Sequence, residues 1–189
     1  MKRILLSTLA AMLVLGLSAI AVQAHAGKPA RQADQATCAT TGAGGEDNPA
    51  GEREGTAGDD DENGTSRDDV IDGNAGDDDI AGEAGDDDLC GDTGDDHMSG
   101  GAGDDKMSGG PGDDVENGGA GDDDIEGDRG DDRITGGPGA DVIVAGPGND
   151  RIFARDGRRD RISCGSGDDT VRADRLDRVT ASCEHVRRS

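Results

Sequence analysis

Apolar side chains return every nine residues along the central part of the chain, between Gly55 and Phe153. This stretch divides into eleven consecutive blocks of nine residues, and the eighth position of nine blocks is aliphatic or methionine. Polar residues flank each of these positions, which is typical of a short strand that turns one side chain inward and its neighbours to water. The pattern therefore predicts a series of three-residue β-strands. The apolar positions are Ile71, Ile80, Leu89, Met98, Met107, Ile125, Ile134, Ile143 and Ile152.

Two glutamates break this apolar column. Glu62 and Glu116 stand at the eighth position of their blocks, and both blocks are odd-numbered. Burying a carboxylate without a partner is costly, so we expect these side chains to escape to solvent or their turns to fray. We also expect both glutamates to lie on the same sheet.

The polar positions of the blocks are equally regular. The sixth position is aspartate in all eleven blocks, while the first and fourth are glycine in ten, with Ala145 and Arg67 as the exceptions. Glycine permits positive φ, so the backbone can turn tightly and aim its carbonyl oxygens at one point. An aspartate that closes such a turn adds a hard oxygen ligand, which suits calcium. Two blocks would then form one coil of 18 residues with two parallel strands.

The blocks resemble the nonapeptide calcium-binding repeats of hemolysin-type (RTX) proteins, whose motif is Gly-Gly-x-Gly-x-Asp-x-apolar-x. Residues 100–108 and 118–126 match every specified position. At the second position some blocks depart from glycine, at Thr56, Asn74, Glu83, Asp92 and Asp128. The resemblance implies an all-β fold, a parallel β-roll that is a two-sheet solenoid, with several calcium ions held between stacked turns. The implied ligands are backbone carbonyls of the glycine turns and the carboxylates of Asp60, Asp69, Asp78, Asp87, Asp96, Asp105, Asp114, Asp123, Asp132, Asp141, Asp150 and Asp169.

The first 26 residues have the three-part layout of a secretory signal peptide, with Lys2 and Arg3 before an apolar run and small residues at Ala24 and Ala26. Residues 1–26 are therefore expected to be removed, which leaves a secreted protein without a stable membrane span. An uncleaved membrane anchor is the alternative, because the apolar run is nearly long enough to cross a bilayer. Residues 27–54 contain no repeat and are expected to form an irregular or disordered leader.

The repeat loosens after Phe153. Residues 154–163 form a ten-residue block that keeps Asp160 and Ile162 in their places, and residues 164–172 return to nine. Residues 151–189 contain ten arginines against seven acidic residues, whereas residues 27–150 contain seven basic and 36 acidic residues. We expect residues 55–153 to form the calcium-binding roll, and residues 154–189 to form irregular terminal repeats with an arginine-rich cap over the last strand edge. A merely solvated run of arginines is the alternative.

Four cysteines in an exported chain favour disulfide bonds, with three possible pairings. The pairing of Cys164 with Cys183 is favoured, because both cysteines lie next to short strand units in the loosened region. Cys38 and Cys90 would then form the second bond. No Cys-x-x-Cys spacing occurs, so zinc is not favoured.

The composition explains why cations are the expected partners. The chain has a formal net charge of −24, 34 glycines, one phenylalanine and neither tryptophan nor tyrosine. Such a chain cannot fill a conventional hydrophobic core. Nucleic acid is not an expected partner, since phosphate contacts require lysine and arginine. No macromolecular partner can be named from the sequence.

An enzyme is not expected, because the three histidines do not belong to a zinc-protease motif or a Ser/His/Asp arrangement. An EF-hand is excluded as well, since a loop that starts at Asp59 puts Val70 where glutamate is needed. The sequence favours an exported calcium-binding repeat protein whose roll folds on binding at most nine ions and acts as a structural or surface module. The alternatives are a disordered acidic polymer that buffers cations, and a non-catalytic repeat remnant of a secreted enzyme or toxin.

Overall fold

Sixteen short strands and no helix make up the described part of the chain, which is residues 52–189 of a computed structural model. The expected signal peptide, and residues 27–51 of the expected leader, lie outside the described residues. No described segment is a helix long and apolar enough to span a bilayer. The strands are β1 (Glu52–Glu54), β2 (Asp61–Thr65), β3 (Val70–Asp72), β4 (Asp79–Ala84), β5 (Asp88–Cys90), β6 (His97–Ala102), β7 (Lys106–Pro111), β8 (Val115–Ala120), β9 (Asp124–Arg129), β10 (Arg133–Thr135), β11 (Val142–Pro147), β12 (Arg151–Ala154), β13 (Arg161–Ser166), β14 (Thr170–Ala173), β15 (Arg178–Val179) and β16 (His185–Arg188).

The strands form two parallel sheets of eight strands each. Sheet A contains the odd-numbered strands in the order β1-β3-β5-β7-β9-β11-β13-β15, and sheet B contains the even-numbered strands in the order β16-β14-β12-β10-β8-β6-β4-β2. Each strand therefore pairs with the strand two further along the chain, and successive strands alternate between the sheets. One coil consists of two blocks, with one strand in each sheet. The predicted all-β, two-sheet parallel roll is confirmed.

The core consists mainly of side chains from the eighth block position in each sheet, with smaller side chains such as Ala145, Ala154 and Ala173 beside them. Ile125 pairs with Ile143 in sheet A, and Ile134 pairs with Ile152 in sheet B. All four side chains are fully buried. The predicted apolar column is therefore confirmed as the inward column.

The ends of the roll differ from the expected boundaries in one place. Residues 52–54, which were assigned to the leader, form strand β1 and pair with Val70–Asp72 of β3. These three residues pair with β3 although none of them has an apolar side chain. At the other end, the ten-residue block keeps Ile162 buried in β13, as expected.

The stacking of the coils explains the glycines at the fourth block position. A Cβ atom on Gly94 would overlap the carbonyl oxygen of Gly76, the equivalent residue one coil earlier. A Cβ on Gly58, in the first coil, would meet nothing within 4 Å. Only a coil that stacks on a preceding described coil therefore requires glycine here, and the exception, Arg67, lies in the first coil.

Candidate metal centre

The sixth-position aspartates form two buried rows along the edges of the roll, one row before each sheet. Within a row, each backbone N–H donates to the Oδ1 atom of the equivalent aspartate one coil later. For example, Asp96 donates to Asp114 over 2.8 Å, and Asp114 donates to Asp132 over 3.0 Å. From Asp78 onward, one carboxylate oxygen of each row aspartate therefore links adjacent coils.

The second carboxylate oxygen has no such partner along most of the two rows. In eleven aspartates the Oδ2 atom is buried and accepts no hydrogen bond from a described residue. A buried acceptor without a donor is unfavourable, so these atoms indicate a missing partner. The eleven residues are Asp78, Asp87, Asp96, Asp105, Asp114, Asp123, Asp132, Asp141, Asp150, Asp160 and Asp169.

Backbone carbonyl oxygens converge on the same spaces. A Cβ atom placed on Gly127 would lie 2.7 Å from Asp132 Oδ2 and 2.7 Å from the carbonyl oxygen of Ala145, which belongs to the next coil. Glycine thus leaves a small cradle lined by a carboxylate and a carbonyl oxygen. No group of three or more His, Cys, Asp or Glu side chains within residues 52–189 is arranged to hold a metal ion alone. A cation in these cradles must therefore take backbone carbonyls as well as carboxylates, and calcium accepts such an oxygen-only set.

Burial raises the pKa of the row carboxylates from Asp78 onward, and neighbouring carboxylates raise it further. The pKa of Asp132 rises to about 8, because the side chain is desolvated and because the charges of Asp114 and Asp150 are close; the backbone N–H of Asp114 opposes the rise. A carboxylate that burial makes costly to ionise is stabilised when a cation supplies the opposite charge. Other row carboxylates behave alike, with pKa values of about 6 for Asp96, Asp105 and Asp150 and about 7 for Asp114, Asp123, Asp141 and Asp160.

The first coil differs from the others. The backbone N–H and the hydroxyl of Thr56 donate to Asp60 Oδ2 over 2.6 Å and 2.9 Å. Thr65 donates to Asp69 Oδ2 over the same two distances. Asp60 and Asp69 are two of the twelve sequence-predicted ligands. In each of them Oδ2 already accepts two hydrogen bonds from a threonine, so this oxygen is less available to a cation. The other ten belong to the rows with a free Oδ2.

Four residues at the second block position adopt a conformation that favours glycine. Asn74, Glu83, Asp92 and Asp128 have φ values of 72°, 75°, 66° and 67°. Gly101, which matches the family motif, has a φ of 109° in the corresponding turn. These four blocks therefore keep the left-handed turn despite their departure from the motif, and their Oδ2 rows remain continuous.

The last coil satisfies its polar groups with protein donors. Asp177 accepts hydrogen bonds from the backbone of Asp160 and Asp174, over 3.2 Å and 2.7 Å. Arg188 Nη1 donates to the carbonyl oxygens of Asp174 and Asp177, over 3.1 Å and 3.0 Å. Glu184 replaces aspartate at the end of the other row, where Oε2 accepts the backbone N–H of Asp169. Glu184 and Asp160 were not among the predicted ligands, although the nine-residue register placed Asp160 correctly.

The expectation that the two column-breaking glutamates leave the core is wrong for Glu116. This side chain is 1% exposed, and neither carboxylate oxygen has a hydrogen-bond partner. Burial first, and then the charge of Asp132, raise the pKa of Glu116 well above its ordinary value. Glu62 is half-buried, and its pKa rises to about 7 for the same first reason. Both residues lie in sheet B, in β2 and β8, as expected.

A disulfide bond joins Cys164 and Cys183, with their Cα atoms 5.2 Å apart. This is the pairing that the sequence favoured, and it links β13 to the segment before β16. Cys90 is also disulfide-bonded. Its expected partner, Cys38, lies outside the described residues.

Two rows of desolvated carboxylates, spaced by coils of a parallel β-roll and faced by backbone carbonyls, define a calcium-binding solenoid. Comparison with protein families agrees with this class. The family model for the RTX calcium-binding nonapeptide repeat matches residues 54–89, 89–116 and 117–152, which together exceed half of the 189 residues. The chain belongs to the RTX nonapeptide-repeat family, and the resemblance seen in the sequence is confirmed. A search of curated proteins found no match.

Proposed function

We propose that this protein is an exported calcium-binding module whose roll becomes ordered when several calcium ions occupy the cradles between stacked coils. The observation that carries the proposal is the set of eleven buried Oδ2 atoms without a hydrogen-bond partner. Bound calcium would supply positive charge to these oxygens. The chain's own residues supply the rest, because the Oδ1 ladder sets the coil spacing and the glycine turns expose the carbonyls.

The continuity of the rows sets the number of cradles. One row runs from Asp78 to Asp169 and contains five spaces between successive aspartates with a free Oδ2; the other runs from Asp87 to Asp160 and contains four. Nine divalent ions would change the formal charge of the chain from −24 to −6. Loss of this repulsion favours the stacked coils, because like charges in adjacent turns oppose folding.

Export is the part of the proposal that rests on the sequence and on cysteine chemistry. The N-terminal segment has the layout of a signal peptide, and the Cys164–Cys183 bond belongs to an oxidising compartment. Extracellular calcium-binding modules have dissociation constants of about 10⁻⁴ to 10⁻³ M, which suits calcium concentrations outside cells. Repeat-only rolls of this kind are typically structural, so the role we propose is that of a rigid exported or surface module.

Two neighbouring aspartates provide a matched test. Asp114 belongs to a row with a free Oδ2, whereas Asp113 precedes it in the same turn and is exposed. Asp114→Asn should weaken calcium binding in a calorimetric titration, while Asp113→Asn, which removes the same charge, should leave the binding close to that of the unsubstituted protein. Equal effects of the two substitutions would show that bulk charge, rather than the buried row, attracts calcium.

A further inference from the structure

The outward face of sheet B has opposite charges at its two ends. The seventh block position of successive sheet B strands forms one exposed or half-exposed column, which we call the sheet B column. From β2 to β12 its side chains are acidic first, then neutral or weakly basic, and finally basic. In order they are Asp61, Asp79, His97, Val115, Arg133 and Arg151.

Like charges are direct neighbours at both ends of this column. Asp61 is in register with Asp79, and Arg133 is in register with Arg151. Neighbouring strands lie about 4.8 Å apart, and like charges directly opposite each other are destabilising. Neither pair is compensated by an ion pair with another described residue. Each end of the column therefore favours a partner of opposite charge.

A protruding aromatic side chain lies at the basic end of this face, and a surface cavity lies at the acidic end. Phe153, the only aromatic residue of the chain, is half-exposed on β12, with the guanidinium groups of Arg133 and Arg172 at 4.4 Å and 5.2 Å from its ring centroid. At the acidic end of the same face is a cavity of about 310 Å³, lined by Asp61, Asn63, Asp79, Ala81, His97 and Val115 among others. An aromatic ring between cations thus lies on the same face as a hollow rimmed by carboxylates.

A two-fold rotation that places two copies of the sheet B face against each other matches the acidic end of one copy with the basic end of the other, and Phe153 with the cavity. A two-fold axis parallel to the strands, between β6 and β8, reverses the order of the strands in the facing sheet. Strand β2 then faces β12 and β4 faces β10, so Asp61 faces Arg151, Asp79 faces Arg133, and Phe153 faces the hollow beside Asn63. An isologous interface uses one self-complementary patch twice, which is the property that this face has.

We propose that the sheet B face, from β2 to β12, is the docking surface for a second copy of this chain in a two-fold dimer. Facing sheets pack about 10 Å apart, a separation that the long arginine side chains can bridge to the aspartates. A chain of charge −24 opposes self-association, so the dimer rests on the proposed calcium binding to reduce that charge.

A charge exchange within one chain tests the dimer. In the presence of calcium, Asp79→Arg and Arg133→Asp should each raise the dimer dissociation constant, measured by analytical ultracentrifugation, at least about tenfold, because each places like charges in contact. The double variant, Asp79→Arg with Arg133→Asp, should restore the dimer, since the exchanged charges again face each other. Arg161→Asp on the outward side of sheet A is the matched control and should dimerise like the unsubstituted protein.

Far-UV circular dichroism of every variant separates this inference from the proposed function. A protein whose spectrum does not respond to calcium contradicts the proposed function, whereas a calcium-ordered protein that stays monomeric at high concentration overturns the dimer alone. The dimer is also overturned if Arg161→Asp weakens it as much as Arg133→Asp does, or if the double variant stays monomeric. Binding of a polyanion to Arg133 in a calcium-ordered monomer would assign the surface to another partner.

Discussion

Each row aspartate uses its two carboxylate oxygens differently. Oδ1 of Asp132 accepts the backbone N–H of Asp114, while its Oδ2 has no partner among the described residues. Asp131, next to it in the same turn, is exposed and accepts a hydrogen bond from Asn149. The pKa values of these two adjacent aspartates therefore shift in opposite directions. Burial raises the pKa of Asp132 to about 8, whereas hydrogen bonds from Asn149 lower the pKa of Asp131.

The raised pKa values predict how metal-free protein responds to pH. Eight row carboxylates have an ordinary pKa of 3.8 in the unfolded chain and a pKa of about 6 to about 8 in the roll. The folded state therefore binds protons more tightly, and the stability from these groups should be complete below about pH 4 and fall as the pH rises from about 4 to about 8. Thermal unfolding of metal-free protein at several pH values measures this, and a melting temperature that rises with pH would contradict it.

The same reasoning distinguishes Asp132 from Asp131. In metal-free protein at pH 8, Asp132→Asn should increase the β-sheet signal in far-UV circular dichroism, because it removes a desolvated charge, whereas Asp131→Asn should not. With calcium the order should reverse, since Asp132→Asn removes an ion ligand. Identical effects of both substitutions would refute the assignment of Asp132 to the row.

At the scale of the element, the first and last coils differ from the coils between them. Thr56 and Thr65 donate to the oxygens that are free in later coils, and Arg188 donates to two carbonyl oxygens at the far end. Protein donors thus stand at both ends of the two rows. We infer that the ends are ordered by these contacts, while the central coils depend on cations.

The first coil should therefore contribute little to calcium binding. Asp60→Asn together with Asp69→Asn should leave a calorimetric calcium titration nearly unchanged, because threonine already occupies Oδ2 of both residues. Asp78→Asn together with Asp87→Asn, one coil later in the same two rows, should weaken binding clearly. The inference is wrong if the first pair of substitutions weakens binding as much as the second.

The disulfide bond acts on the terminal coils in a different way. Cys164 and Cys183 are 19 residues apart, and such a cross-link stabilises by about 3 kcal/mol through restriction of the unfolded chain. Replacing both cysteines by serine should speed hydrogen exchange in β14 to β16 and leave the central coils protected in calcium. Uniform loss of protection along the roll would show instead that the bond supports the whole fold.

The sequence predicted the roll well because its period sets both the strand spacing and the inward column. Ile134 and Asp132 could be placed from the nine-residue register alone. The hydrogen bonds of the first coil could not be predicted from the register. Thr56 replaces glycine at the second block position, and it donates to Asp60 Oδ2. Glu116 was misjudged because the roll has no alternative position for an eighth-position side chain between Met98 and Ile134, so the carboxylate stays buried despite its cost.

At the scale of the whole molecule, the roll has a thin core of at most two buried apolar side chains per strand and a large excess of carboxylates. The stacked coils bury the row aspartates next to one another, so the metal-free roll is opposed by desolvation and by repulsion. The hydrophobic column alone buries little apolar surface, because most strands contribute a single aliphatic or methionine side chain between polar neighbours. We therefore expect the roll to be ordered only when calcium is bound.

Far-UV circular dichroism of the full chain, in chelator and then in millimolar calcium, tests this claim most directly. The account predicts a spectrum of largely unordered chain at pH 8 without calcium and a β-sheet spectrum with calcium, with magnesium a poor substitute because it demands a tighter octahedral site. Asp114→Asn should need more calcium for the same change, and Asp113→Asn should not. A β-sheet spectrum that is the same in chelator and in calcium would contradict the account.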